Sequence, residues 1–387
     1  MLMKLTEEEQ LDLTDLAKNR LSVRSRFNEI KNFHKQNANP DDVCDDDKFL
    51  SDLVKVLRIK SLVVGVGGAG NNTVSRLEDM GISDAETLNI NTDAHDLYYS
   101  NAKHKILIGK EKCNGLGSGN DPSVGAEAAE EDRERIRKTL NADIIFLTCG
   151  LGGGTGTGAA PIIAEEAKKN NSIVVTFCSL PFKSEGDQRL IRAKIGLKNL
   201  AEYSDTLITI PNDNLLHIVG KIPMITGFKI MDEVLIRNIG EVVNLINNCG
   251  LVNIDFADVK RVFERKEKYP SGLIGITESF GDEADLIEKS ILALNNPLLK
   301  PDPSQVKRCL VSVTGDHTLS LDKVDKVIST ISNGIPKSAQ LKFGTSMDAT
   351  LGSKIKIMVV ANGPVSPYVR AALDSENDSM PINVAGI

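Results

Sequence analysis

The chain has 387 residues, enough for two domains with substantial cores rather than one small one. Hydrophobic residues make up 41% and charged residues 26%, the balance of a soluble globular protein. A net charge of −7 lacks the basic footprint that sequence-independent nucleic-acid binding requires.

Six cysteines at 44, 113, 149, 178, 249 and 309 form no C-x-x-C pair, so neither a zinc site nor a redox motif is indicated. Free thiols without a disulfide framework point to a reducing cytoplasm. Met1 to Glu9 is polar and acidic, unlike a signal peptide. No apolar run approaches the roughly 20 residues of a membrane span, so a membrane role would go through a partner.

Residues 1–58 are charged and helix-forming. Thr6 and Glu9 make a capping box, and Leu13, Leu16, Val23, Phe27 and Ile30 follow at helical spacing. Asn37-Ala-Asn-Pro40 breaks that helix, and a second short one runs from Asp45 to Leu57. The region reads as an appended helical element. From Ile59 the pattern changes. Strands are predicted at 61–65, 86–90, 143–149, 172–178 and 206–210, and helices at 70–80, 124–140, 158–170 and 187–202. Such alternation predicts a parallel sheet with helices on both faces, in a domain spanning 59–222.

Pro223 to Cys249 is one long amphipathic segment, with Phe228, Met231, Leu235, Ile239, Val242 and Ile246 on one face and Gly250 as its stop. It reads as a central connecting helix over 223–250. Beyond it, strands at 272–277, 306–313, 339–345 and 354–361 and helices at 283–296 and 320–333 predict a smaller α/β domain over 251–362. Residues 363–387 read as a flexible tail. Its end, Met380 to Ile387, suits either a short partner-binding peptide or an inert terminus.

Two glycine loops carry the chemistry. Gly65-Val-Gly-Gly-Ala-Gly70 follows a strand and opens a helix, which brings backbone N–H groups to a phosphate at a helix N-terminus. On this loop alone a dinucleotide cofactor fits equally well, with Asp93 loosely placed for a ribose. Gly152-Gly-Gly-Thr-Gly-Thr-Gly158 follows another strand and opens another helix, with five glycines and two threonines in seven residues. A third turn, Gly115-Leu-Gly-Ser-Gly119, lies between them. Three such loops suit an extended triphosphate better than a bridging pyrophosphate. The P-loop pattern and the kinase triplets are absent from the sequence.

The run at 152–158 resembles the signature loop of the FtsZ/tubulin family. Gly65–Asn72, Asn91-Thr-Asp93, Gly115–Pro122 and Leu180-Pro-Phe182 resemble loops of that family in the same order. The resemblance runs from about Ile59 to Asn362, and the N-terminal extension is similar to those of archaeal-type members. It implies a GTPase of the cell-division cytoskeleton, in which a GTP-binding domain is joined by a central helix to a smaller α/β domain and the subunits polymerise head to tail.

By that resemblance Gly67, Gly68, Ala69, Gly70 and Asn71 hold phosphates, with Gly154, Thr155 and Gly156 from the second loop; Asp93 and Gly117 belong to the same pocket. Glu185 and Arg189 match the ribose contacts, although four-residue spacing also suits a plain surface ion pair. Asp232 matches the guanine reader, Asn212 its amide partner, and Phe228 the residue stacked on the base. The chemistry fits, because a carboxylate only accepts hydrogen bonds and guanine offers two donors where adenine offers an acceptor. The competing reading makes Phe228 core and pairs Asp232 with Lys229 or Arg237. Magnesium is expected through the phosphates, without dedicated ligands.

Asn253-Ile-Asp-Phe-Ala-Asp258 matches the family's activating loop, with Asp255 and Asp258 acting on water and Asn253 supporting them; helix capping is the plainer reading of the stretch. At about 1.5 Å per residue, Asp255 lies roughly 35 Å from Asp232, beyond reach of its own nucleotide. It would serve a neighbour stacked head to tail, and such contacts propagate as filaments. Two departures from the family pattern stand out. The charged run Glu264–Gly272, near the expected interface, replaces a glycine-bearing turn, and Asn120-Asp121 replaces Gly-Asn, where asparagine tolerates left-handed geometry. Alternatives are a filament scaffold with little turnover, for which the 264–272 run argues, and a dinucleotide oxidoreductase, against which the 152–158 loop argues. Partners implied are the chain itself and division or membrane-adaptor proteins at the division site.

Overall fold

The structure is a computed structural model that describes residues 59–81, 85–219, 223–247, 252 and 254–375. The helices expected within 1–58 lie outside the described residues, as do Gly250 and the segment 376–387.

The first layer is a six-stranded, all-parallel sheet: β1 (Ser61–Val66), β2 (Glu86–Asn91), β3 (His104–Leu107), β4 (Ile144–Gly150), β5 (Ile173–Leu180) and β6 (Thr206–Pro211), in the order β3-β2-β1-β4-β5-β6. Its helices are α1 (Gly67–Asp79), α2 (Ala94–Tyr99), α3 (Lys110–Cys113), α4 (Pro122–Glu131), α5 (Arg133–Thr139), α6 (Thr155–Lys169), α7 (Asp187–Tyr203) and α8 (Asn212–Val219). Strict alternation along the strands divides the core in two. Val63, Phe146, Val175, Phe177, Ile208 and Ile210 face one side, against Val74 and Leu77 of α1. Leu62, Val64, Ile145, Leu147, Cys149, Val174 and Cys178 face the other, against the alanine-rich inner surface of α6 and against Leu197 and Leu200 of α7.

Two local readings change. The short edge strand β3 was not expected; it has four residues and only Ile106 is buried, so no alternation marks it. The helix expected over 124–140 breaks at Asp132 (φ −102°, ψ 14°). The Asp132 carboxylate accepts from the Gly109 amide at 3.0 Å, and Arg133 turns to the fully buried Glu166 at 2.7 Å. These tertiary bonds outweigh continuity of the helix.

Next comes α9 (Met224–Asn247), 24 residues and so about 36 Å long. Leu235, Ile239 and Val242 are buried as the periodicity predicts, joined by Ile236 and Val243. They extend the first core continuously into the second domain. That domain contains α10 (Phe256–Phe263), β7 (Gly272–Ser279), α11 (Glu283–Leu294), β8 (Arg308–Gly315), α12 (Leu321–Asn333), β9 (Gln340–Met347) and β10 (Ile355–Asn362). Its sheet runs β7-β10-β8-β9, with β10 antiparallel to β7 and β8, and β8 parallel to β9. A Cβ on Gly275 of β7 would overlap the Ala293 carbonyl of α11. Gly275→Ala therefore lowers unfolding free energy by about 3 kcal/mol in denaturant titration, and the folded fraction keeps its ligand affinity; an unchanged midpoint would mean that the helix shifts freely.

The tail begins later than expected. Residues Pro367–Leu373 form α13, which buries Tyr368, Val369 and Ala372 in the same core face as α7. The run 264–272 also makes contacts within its own chain. Arg265 donates to the Ala201 and Glu202 carbonyls at the end of α7 (2.7 and 3.0 Å), and Tyr269 and Lys268 both bond Asp374 beyond α13. No described helix is long and apolar enough to cross a membrane.

Candidate functional site

The connections leaving β1 and β4 diverge at the middle of the sheet, which opens a crevice at the carboxyl ends of those strands. The loop after β1 starts at Gly67 (φ 70°), where a Cβ would lie 3.0 Å from the Gly156 amide nitrogen. The loops after β1 and β4 thus meet backbone to backbone, a close approach only glycine permits. The third glycine turn lies over them, with positive φ at Gly115, Gly117, Gly119 and Asn120. Asn120 does adopt the left-handed geometry expected of it (φ 60°), and Asp121 caps α4 through the Ser123 amide.

Buried hydroxyls tie the three segments together. Thr155 Oγ1 is 2.7 Å from Thr92 Oγ1 and 3.0 Å from Ser118 Oγ. Gly117 N–H donates to the Thr92 carbonyl at 3.2 Å, and Gly152 N–H donates to Thr157 Oγ1 at 2.9 Å. Thr155 also opens the 15-residue α6, whose unpaired first amides and positive dipole end suit an anion.

These loops wall a cavity of about 490 Å3. Gly67, Gly68, Ala69, Gly117, Gly154, Thr155 and Gly156 line its floor; Asp93, Glu185, Arg189, Asn212 and Asp232 line its sides. Asn91, also on the wall, accepts from the Thr92 and Asp93 amides through Oδ1, while its buried Nδ2 finds no acceptor among the described residues. A buried donor without a partner is costly, so a ligand oxygen or nitrogen there is favoured. Cys149 lines the cavity, yet burial pushes its thiol well up, which removes it as a nucleophile.

Electrostatics differ from end to end. Asp93 caps α2, accepting from the His95 and Asp96 amides at 2.9 and 3.0 Å. An Asp96 carboxylate oxygen lies 3.5 Å from where a Cβ on Gly68 would sit, so a negative charge stands beside the anion cradle. Glu185 and Arg189 form an ion pair, and Glu185 also accepts from the Phe182 amide at 2.9 Å. Asp232, four-fifths buried, is pushed up by burial, and neighbouring Arg76 opposes the shift.

Residues 60–220 match the GTPase domain of the tubulin/FtsZ family, and residues 271–364 match the C-terminal domain of the FtsZ family. Cell division protein FtsZ 1 of Pyrococcus horikoshii is 42% identical over 343 residues, covering 87% of this chain and 91% of that protein. The chain belongs to the FtsZ family. FtsZ 1 of Methanocaldococcus jannaschii is 40% identical over 88% of this chain and 92% of its own length. An FtsZ dimer from M. jannaschii, solved empty, superposes with a TM-score of 0.76 at 38% identity, over 89% of this chain and 99% of that one. CetZ2 from Haloferax volcanii, solved as a GTPγS-bound protofilament, shares the fold (TM-score 0.69, 22% identity, 82% and 97% covered).

Within this FtsZ-family site, twelve of the expected pocket residues line one cavity. Gly70 and Asn71 do not. Gly70 packs α1 against β4, where a Cβ would overlap the Thr148 carbonyl, and Asn71 is buried, its side-chain Oδ1 and Nδ2 both without a partner among the described residues. The side chain of Phe228 and the whole of Asn253 lie outside the described residues. Asp255 and Asp258 are not in the cavity. Asp255 caps α10 through the Asp258 amide at 2.7 Å, and the Asp258 carboxylate stands 3.5 Å from Lys342 and 3.9 Å from Arg261. Neither Lys229 nor Arg237 holds Asp232, because Arg237 pairs with Glu278. Sequence reasoning missed the hydroxyls of Thr92 and Ser118, the Asn91 amide, Asp96 and Arg76. The first four sit inside or beside recognised loops. Arg76 carries no local signal, being 156 positions from its partner.

Proposed function

We propose that the chain binds GTP in this cavity, assembles head to tail and hydrolyses the nucleotide between subunits, as a filament of the cell-division ring in the cytoplasm. The observation that carries this reading is the join of three glycine loops through Thr92, Ser118 and Thr155, with a carboxylate at the far side of the same cavity. The loops give phosphates a cradle of amides, the Asn91 Nδ2 supplies a further donor, and Asp232 with Asn212 takes the guanine edge. Glu185 and Arg189 hold the ribose, and Phe228 stacks on the base.

The residues present fit magnesium as well. Asp96 beside Gly68 would repel phosphate oxygens unless a cation lay between them. The ion, bound chiefly by phosphates and water with Asp96 at its margin, would neutralise charge on the transferred group.

Asp255 and Asp258 follow α9, whose last residue Asn247 lies about 22 Å along the helix from Asp232, and Asn253 joins them by its place in the matching segment. They therefore serve the nucleotide of the next subunit, where the two carboxylates orient the attacking water. The solved dimer and protofilament of relatives support self-assembly. Membrane attachment goes through adaptor proteins. The test is GTP turnover per subunit against protein concentration, with magnesium and light scattering. Turnover near zero at low concentration that rises with scattering is expected; turnover per subunit independent of concentration would refute completion between subunits.

A further inference from the structure

The carboxylate assigned to the base does not stand alone. Asp232 reaches from α9 to α1, where Arg76 Nε lies 3.5 Å from its Oδ2 and the Thr73 hydroxyl donates to its Oδ1 at 3.4 Å. A second nitrogen of the same guanidinium, Nη1, donates to the Lys229 carbonyl at 3.1 Å. Lys229 precedes Asp232 by three residues, so the Arg76 fork grips both the backbone and the side chain of one turn of α9. A lysine cannot reproduce that planar fork.

The other charged groups on the packed elements are engaged elsewhere or exposed. On α1, Glu78 bonds Thr87 and Asp79 bonds Asn101. On α9, Arg237 pairs with Glu278, while Lys229 and Glu233 point outward. On α8, Asp213 takes the Lys183 amide. Among the described residues Arg76 is left as the counter-charge of Asp232, and it lies outside the residues that line the cavity.

We propose that Arg76 is a positioning residue for base selection, fixing Asp232 on the guanine edge and keeping its carboxylate charged. This rests on the reading of Asp232 as the guanine contact. An ionised carboxylate accepts from both N1–H and the 2-amino group of guanine and repels the N1 acceptor of adenine. A protonated one carries an O–H donor that adenine N1 accepts, so loss of the charge erodes the preference rather than binding as a whole. Burial favours the protonated form, which is why the guanidinium matters here.

The test measures GTP and ATP affinity against pH, below the concentration of assembly, for the natural chain, Arg76→Gln, Arg76→Lys and Asp232→Asn. In the natural chain GTP affinity falls as acid protonates Asp232. Arg76→Gln moves that fall to higher pH and, through lost positioning of the carboxylate, cuts the GTP/ATP ratio about tenfold at neutral pH. Arg76→Lys keeps the charge and the natural pH profile, with a smaller loss of ratio. An Arg76→Gln profile and ratio equal to the natural ones, while Asp232→Asn loses guanine, would overturn the proposal and leave the parent reading standing. A lysine variant whose profile is shifted up from the natural one overturns the charge argument even if Arg76→Gln does not fold. Asp232→Asn with undiminished GTP affinity would remove the parent reading itself.

Discussion

Asp255→Asn keeps the fold and GTP binding and lowers turnover by about 10²–10⁴-fold. Asparagine is chosen because it caps a helix about as well as aspartate. The bond from Asp255 Oδ1 to the Asp258 amide is therefore retained and only the charge is lost. Were Asp255 merely a cap, turnover would stay within about twofold. Asp255 is exposed at the start of α10, while the Asp258 carboxylate is mostly covered and paired with Lys342 and Arg261; on the proposed head-to-tail assembly both would belong to the face that meets a neighbour. Steady-state phosphate release with parallel sedimentation separates a catalytic defect, in which polymer persists, from an assembly defect, in which it does not.

Asp232→Asn exchanges base preference. Replacing the charged acceptor loses the bond to the guanine 2-amino group, turns an amide donor toward that amine and weakens the bond from N1–H, so GTP affinity falls about 10²-fold. Xanthine has a carbonyl where guanine has its amine, and an asparagine amide can donate to that carbonyl while accepting from N1–H. Xanthosine triphosphate consequently binds the variant more tightly than GTP does. Equal GTP binding by the variant and the natural chain would show that Asp232 is held for its bond to Thr73 and its pair with Arg76 alone.

The two substitutions together locate the chemistry. With GTP as the sole nucleotide, Asp255→Asn chains bind but do not turn over, and Asp232→Asn chains bind poorly. Mixed, the second supplies an intact activating segment to the GTP held by the first, and turnover reappears. Its failure to reappear, with mixed polymer present, would return catalysis to a single chain.

Much of this was legible in one dimension. The buried strands β1, β4, β5 and β6 read as apolar runs because parallel strands covered on both faces need apolar residues on both. The glycine loops were legible because backbone approach such as that of Gly67 to Gly156 excludes every side chain, which leaves a compositional mark. The periodicity of α9 survived because a stripe of Leu235, Ile239 and Val242 must meet a core.

Other features had no local mark. Strand β3 exists because β2 offers it an edge, not because His104-Lys-Ile-Leu107 alternates. The break at Asp132 arises from a bond to Gly109, 23 positions away. The run 264–272 was expected near a subunit interface; what had no local mark is that Arg265 donates to the Ala201 and Glu202 carbonyls at the end of α7, which ties the run to its own chain. Helix α13 formed where a loose tail was expected because the surface of α7 had apolar area left to cover.

The sequence by itself determined the strand–loop–helix units and the residue types at the cavity, since each is a local constraint of backbone geometry or burial. Only the tertiary structure decided which of those residues converge. It drew twelve of them around one cavity, set Gly70 between α1 and β4, and gave Asp232 the partner Arg76 from 156 positions away. An ion pair of that kind is made by the crossing of two helices, and nothing in either segment alone encodes it.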